Sequence, residues 1–101
     1  MRLENKSAII TGGGGAMGGA QARLFTEEGA VVCVADLYLD KAEEVAGDIR
    51  RSGGQAIAQQ LDVREADQWA KTVKRTEEEF GRVNVLCNNA GSNFRVSFEE
   101  Q

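Results

Sequence analysis

Short apolar runs alternate along this chain with longer stretches in which apolar residues recur every three or four positions. The first run, Ser7-Ala8-Ile9-Ile10, reads as a buried strand, placed at residues 8–11. A glycine-rich turn follows. Next comes a helix over 16–28, with Ala20, Leu24 and Phe25 on its inner face and Gly29 as its stop. Val31-Val32-Cys33-Val34-Ala35 is apolar throughout, as a strand covered on both faces must be. Over 39–52, Ala42, Val45, Ala46 and Ile49 recur at helical spacing. Arg50 and Arg51 fall in the last turn, where cations suit the helix dipole, and Gly53-Gly54 ends the helix. A third strand covers 55–61, with Ala56 and Ala58 on one side and Ile57 on the other. A third helix covers 65–80; its stripe is Ala66, Trp69, Ala70, Val73 and Phe80, and Gly81 closes it. Val83-Asn84-Val85-Leu86-Cys87 is a fourth strand. The remainder reads as a loop, with Ser97-Phe98-Glu99-Glu100 in the S-x-x-E form of a capping box.

The order β-α-β-α-β-α-β predicts an α/β fold whose helical crossovers make the sheet parallel and the connections right-handed. The expected strand order is 3-2-1-4, a Rossmann-type doubly wound sheet truncated to about four strands and three helices, in one domain over residues 1–101. Ligands in such sheets bind beyond the carboxyl ends of the strands, where the order reverses. Here that point falls between the first and fourth strands and is lined by 12–18 and 88–91. The crossovers place two helices on one face and only the third on the other. The fourth strand is left as an open apolar edge, so the pattern reads as part of a larger domain.

Composition narrows the function classes. A chain of 101 residues suits one small domain, and its net charge of −4 argues against nucleic acid or an anionic membrane as partner. No apolar run approaches the length that spans a bilayer, and the N-terminus has no signal-peptide core. The two cysteines, Cys33 and Cys87, lie inside apolar runs and read as reduced thiols of a cytoplasmic protein. There is no histidine, which removes His-based catalysis and His metal ligation; two cysteines are too few for structural zinc.

Chemistry concentrates at the strand ends. Strand, glycine turn and helix is a geometry for holding phosphate, because glycines let the backbone approach an anion and the helix start offers unpaired N–H groups. Two spacings fit the turn: Gly13-x-Gly15-x-x-Gly18, and Thr11-Gly12-x-x-x-Ala16-x-Gly18 with alanine in place of one glycine. Asp36 ends the second strand, 18 residues after Gly18, where a carboxylate can accept from an adenosine ribose; a helix cap or strand-ending turn is the plainer reading. A carboxylate there repels a 2′-phosphate, no cation lies in 12–15, and Leu37 follows, so NAD is favoured over NADP. Asp62-Val63 ends the third strand. Asp62 reads equally as a cap for the third helix, with Glu65 three residues on, or as a carboxylate facing adenine. Asn88-Asn89-Ala90-Gly91 follows the fourth strand and, alone, is simply a strand end.

In series, the glycine turn, Asp36, Asp62-Val63 and Asn88-Asn89-Ala90-Gly91 resemble the short-chain dehydrogenase/reductase family from Leu3 to the end of the chain. The resemblance implies that Thr11, Gly12, Gly15 and Gly18 shape a pyrophosphate turn backed by Met17. Asp36 and Leu37 would meet the ribose, and Asp62 and Val63 the adenine. Asn88 would steady the sheet, and Asn89, Ala90 and Gly91 would line the cofactor. It implies hydride transfer between NAD and a small alcohol or ketone in a homo-oligomeric parent. The family's catalytic Tyr, with Lys four residues on, and its Ser are not placed here: the one tyrosine, Tyr38, is followed four residues later by Ala42. The expectation is therefore a cofactor-binding N-terminal half, inactive by itself. The alternatives are a non-catalytic NAD or ADP-ribose binding module, or a flavin-type Rossmann protein, against which Asn88–Gly91 argues.

Overall fold

Among the described residues seven elements alternate: β1 (Ser7–Thr11), α1 (Ala16–Glu27), β2 (Val31–Asp36), α2 (Leu39–Arg51), β3 (Ala56–Gln60), α3 (Ala66–Phe80) and β4 (Val85–Asn88). They come from a computed structural model that describes residues 3–89. Ala90, Gly91 and the capping-box sequence at 97–100 lie outside the described residues. The sheet is parallel, in the order β3-β2-β1-β4, as the alternation predicts. Central β1 aligns Ile9 with Cys33 on one side and with Leu86 on the other. Expected and observed boundaries differ by a residue or two. The largest shift is at β4, which begins at Val85 because Asn84 is occupied otherwise. The Asn84 amide donates to the Ser7 carbonyl at 2.8 Å, and its side-chain oxygen accepts from the Ser7 amide at 2.9 Å.

Alternation within the strands splits the interior into two layers. On one face Ala8, Ile10, Val32, Val34, Ala56 and Ala58 meet Ala22 of α1 and Ala42, Val45, Ala46 and Ile49 of α2. On the other, Ile9, Cys33, Ala35, Leu61 and Leu86 meet Trp69 and Val73 of α3, the one helix on that face among the described residues. The fully apolar β2 is thus covered on both sides. Between α3 and β4 this second face keeps an apolar groove of about 360 Å³, lined by Ile9, Trp69, Val73, Glu77, Val83 and Leu86. Burial raises the Cys33 thiol pKa; the Thr76 hydroxyl and then Arg75 offset part of that.

Two helices present the expected faces only in part: Phe25 of α1 and Trp69 and Val73 of α3 pack on the core, the other members of each stripe less so. α1 buries Gly18, Gly19 and Ala22, while Ala20 is exposed and Leu24 is 54% exposed. The period is helical as expected, but its phase is set by close approach: α1 packs so near the turn that only the smallest residues fit beneath it. Phe25 alone of the expected trio packs against the core. In α3 the buried residues are Thr72 and Thr76, whereas Ala66 and Ala70 are exposed and Trp69, Val73 and Phe80 half-buried. The threonines tolerate burial because each hydroxyl donates to the carbonyl four residues back, Thr72 to Gln68 at 2.8 Å and Thr76 to Thr72 at 2.7 Å.

The β3 edge is closed by two arginines arriving from opposite faces. Arg50 of α2 donates to the Ala56 carbonyl at 2.8 Å, and Arg75 of α3 to the Ala58 carbonyl at 2.7 Å. Among the described residues no helix is long and apolar enough to cross a membrane.

Candidate functional site

The ends of the strands and the first turns of the helices that follow them surround a cleft of about 960 Å³. Gly12 and Gly15 from the turn after β1, Asp36 and Leu37 after β2, Asp62 and Val63 after β3, and Asn89 after β4 all line it. Seven of the residues predicted from sequence therefore converge. Their convergence follows from the order reversal beside β1, which opens a crevice between the turn and β4.

The turn is shaped by sterics. Gly12 takes φ +64°, a left-handed conformation that costs glycine nothing. A Cβ on Gly18 would stand 2.2 Å from the Gly12 carbonyl oxygen, so the first turn of α1 sits directly on the loop. A Cβ on Gly13 would meet Val34 Cγ1 at 2.7 Å, whereas at Gly15 the nearest atom is 3.5 Å away. Contact thus pairs Gly12 with Gly18, the wider of the two spacings. Ala16, the departure from that spacing, stands exposed at the first position of α1, outside the packed turn. Gly15 is the N-cap, and among the described residues no side chain hydrogen-bonds to the helix start, so its positive end carries no side-chain cap there.

Asp36 is nearly buried, at 9% exposure, and points at the turn. Its Oδ2 accepts from the Gly14 amide at 2.9 Å and its Oδ1 from the Tyr38 amide at 2.9 Å. The turn-forming and ligand-accepting readings of Asp36 coexist, since each carboxylate oxygen keeps further acceptor capacity.

Asp62 is not the cap of α3; Glu65 holds that position without a side-chain bond. The Asp62 carboxylate instead accepts from Arg64, at 3.0 Å from Nε and 2.9 Å from Nη2, and from the Arg64 amide at 3.0 Å. Those bonds to Arg64 hold its pKa down at about 2. Beside it, the Trp69 indole N–H donates to the Val63 carbonyl at 2.8 Å.

Thr11 lies beneath the cleft rather than on its wall, 1% exposed. Its hydroxyl donates to Asn88 Oδ1 at 2.6 Å and accepts from the Asn89 amide at 3.1 Å; Asn89 Nδ2 donates to Gln21 Oε1 at 2.7 Å. The ends of β1 and β4 and the body of α1 are thereby tied together. Gly18 likewise packs under the turn. Met17 does not pack beneath the turn: at the second position of α1 its side chain is 63% exposed.

Tyr38, Lys41, Arg64 and Trp69 also line the cleft, and sequence reasoning did not place them there. The available signal was positional: they follow β2 and β3 closely, in the connections and first turns at the sheet's carboxyl edge.

This fold is Rossmann-like, a doubly wound α/β sheet with a cleft at its switch point. The chain belongs to the short-chain dehydrogenase family, whose model, described as short chain dehydrogenase, matches residues 6–101. It is 42% identical over 100 residues to 2,5-dichloro-2,5-cyclohexadiene-1,4-diol dehydrogenase LinX of Sphingobium indicum, covering 99% of this chain and 40% of that protein. The hydroxysteroid dehydrogenase of Escherichia coli superposes with a TM-score of 0.87 at 37% identity, over 90% of this chain and 39% of that one. A candidate D-mannonate oxidoreductase from Haemophilus influenza, solved with bound NAD, gives 0.86 at 35% identity, over 92% and 33%. The chain thus spans about two fifths of the length of such relatives and is part of an oxidoreductase family.

Proposed function

We propose that residues 1–101 form the NAD-binding N-terminal part of an oxidoreductase that moves a hydride between NAD and an alcohol or ketone. One observation carries the reading: Asp36, the ribose acceptor, is hydrogen-bonded to an amide of the glycine turn itself. The acceptor for the sugar and the seat for the diphosphate are then one rigid unit.

The residues fit a dinucleotide. The turn is too tight for side chains at Gly13 and Gly18, the start of α1 is uncapped, and a carboxylate aims into the cleft. Gly12, Gly15 and the α1 amides would hold the diphosphate, with Thr11 and Gly18 fixing the turn from below and Met17 at its rim. Asp36 and Leu37 would meet the ribose, Asp62 and Val63 the adenine, and Asn89, Ala90 and Gly91 the far side. Bound NAD supplies hydride exchange; these residues bind and orient it. NAD rather than NADP follows from Asp36 at the ribose. The hydroxyl-bearing substrates in the relatives' names support an alcohol or ketone as substrate class.

Tyr38 has Ala42 four residues on, not lysine, and among the described residues that line the cleft no Tyr-Lys pair at that spacing stands. The expected result is NAD and ADP-ribose binding by calorimetry, without NAD reduction on a panel of secondary alcohols. Asp36→Ala should weaken NAD binding about tenfold, the loss of a charge-assisted hydrogen bond, and narrow the preference over NADP. Absence of heat at millimolar NAD would overturn the nucleotide reading, and turnover by this chain would overturn its inactivity.

A further inference from the structure

The outward carbonyls of β3 are all taken. The Val32 amide donates to the Gln55 carbonyl and the Leu61 amide to the Asp36 carbonyl, so positions 55 and 61 face β2. By alternation 56, 58 and 60 face away from the sheet. Arg50 Nη1 donates to the Ala56 carbonyl at 2.8 Å, Arg75 Nη1 to the Ala58 carbonyl at 2.7 Å, and Gln59 Nε2 to the Gln60 carbonyl at 3.4 Å. Because β3 is the outer strand, the amides of Ala56, Ala58 and Gln60 meet no further strand among the described residues. The edge therefore has its acceptors covered and its donors open.

The cations on this edge have no anionic partner. Arg23, Arg51 and Arg64 each sit on an aspartate, whereas Arg50 and Arg75 pair with no carboxylate among the described residues, in a chain of net charge −4. Both guanidinium groups are held through Nη1, which leaves Nε and Nη2 of each without a partner among those residues. They arrive from opposite faces of the sheet on carbonyls two residues apart, about 7 Å along the strand. The Ala58 amide falls between those carbonyls as a further donor. A cavity of about 440 Å³ adjoins them, with Glu43, Gln59 and Gln60 in its wall.

We propose that the β3 edge is an oxyanion site, in which Arg50, Arg75 and the Ala58 amide hold a phosphate-sized tetrahedral anion, free or carried on a small phosphomonoester. Such an anion only accepts hydrogen bonds, as an edge that only donates requires. With charge-assisted bonds of about 2.8 Å at each end, it bridges guanidinium groups at that spacing. The Glu43 carboxylate on the same wall opposes it. The site shares no lining residue with the strand-end cleft and does not depend on the nucleotide reading.

The test is a titration of the 15N-labelled chain with inorganic phosphate, read at the Ala58 and Gln60 amides and at the Nε–H signals of Arg50 and Arg75, against sodium chloride of matched ionic strength. Phosphate should move these signals saturably and sodium chloride should not. Glycerol 3-phosphate separates the sources: tighter binding than phosphate assigns the site to a phosphomonoester, equal or weaker binding to the free anion. Arg50→Lys and Arg75→Lys keep the charge and one donor for the strand carbonyl but lose the fork, and each should weaken phosphate binding about threefold or more. Glu43→Gln should tighten it about twofold or more. The Gly12 and Gly15 amides are the internal control, since phosphate in the cleft moves them whatever happens at β3. Shifts at β3 no different from those with sodium chloride, or unchanged in both Lys variants, would overturn the site. Glu43 makes no hydrogen bond among the described residues, so an affinity unaltered by Glu43→Gln would overturn it even if the Lys variants failed to fold.

Discussion

Beneath the glycine turn the first turn of α1 has no room for a methyl group. Gly18→Ala should destabilise the fold by about 1–3 kcal/mol, because the atom that must move is backbone and not a flexible side chain. Gly15→Ala, with φ −86° and 3.5 Å of clearance, should stay close to the parent. Urea unfolding of the two variants makes the comparison. At Asp62 the argument concerns protons. Arg64 lowers its pKa from 3.8 to about 2, so the pair's contribution to stability is present above pH 3.8 and is lost as pH falls toward 2. The destabilisation caused by Arg64→Ala should therefore be seen at neutral pH and vanish over that acid window; in the variant, NMR titration should return the Asp62 pKa toward its ordinary value. The turn glycines and Asp36 were legible from the sequence because sterics and charge at those positions admit few alternatives. The partner of Asp62 was not: a residue that can cap a helix can equally bind a cation two positions on, and only the path of the chain after β3 decides.

Between elements, β3 illustrates how a free sheet edge is managed. The carbonyls of Ala56 and Ala58 would otherwise offer themselves to any extended chain, and Arg50 and Arg75 occupy them. The double variant Arg50→Ala with Arg75→Ala should show concentration-dependent self-association in sedimentation experiments where the parent does not. Strands and α2 were readable, since Ala42, Val45, Ala46 and Ile49 are all buried as their spacing implies. The inner faces of α1 and α3 were readable only in part, through Phe25, Trp69 and Val73. Hydrophobic patterning gives no weight to glycine or threonine, yet Gly18, Gly19, Thr72 and Thr76 are among the most deeply buried residues of these helices, beside Ala22. The first pair is selected by proximity and the second by hydroxyls that find carbonyls on their own helix, and neither cause is written in apolar periodicity.

For the molecule as a whole, topology turns distant residues into one site. Parallel order β3-β2-β1-β4 brings the tips of all four strands to the same edge, so Gly12, Asp36, Asp62 and Asn89 meet though they are spread over the chain. The motif order made that convergence predictable, and membership in the short-chain dehydrogenase family agrees with it. The side chains contributed by the helix starts, Lys41 and Trp69 among them, depended on helix packing angles that no spacing encodes. The chain has a single tryptophan, and its indole stands in the cleft wall, pinned to Val63. All the indole emission of this protein therefore originates beside the proposed adenine seat. A stacked or neighbouring base would quench it or shift its colour, and the molecule reports its own occupancy without an added dye.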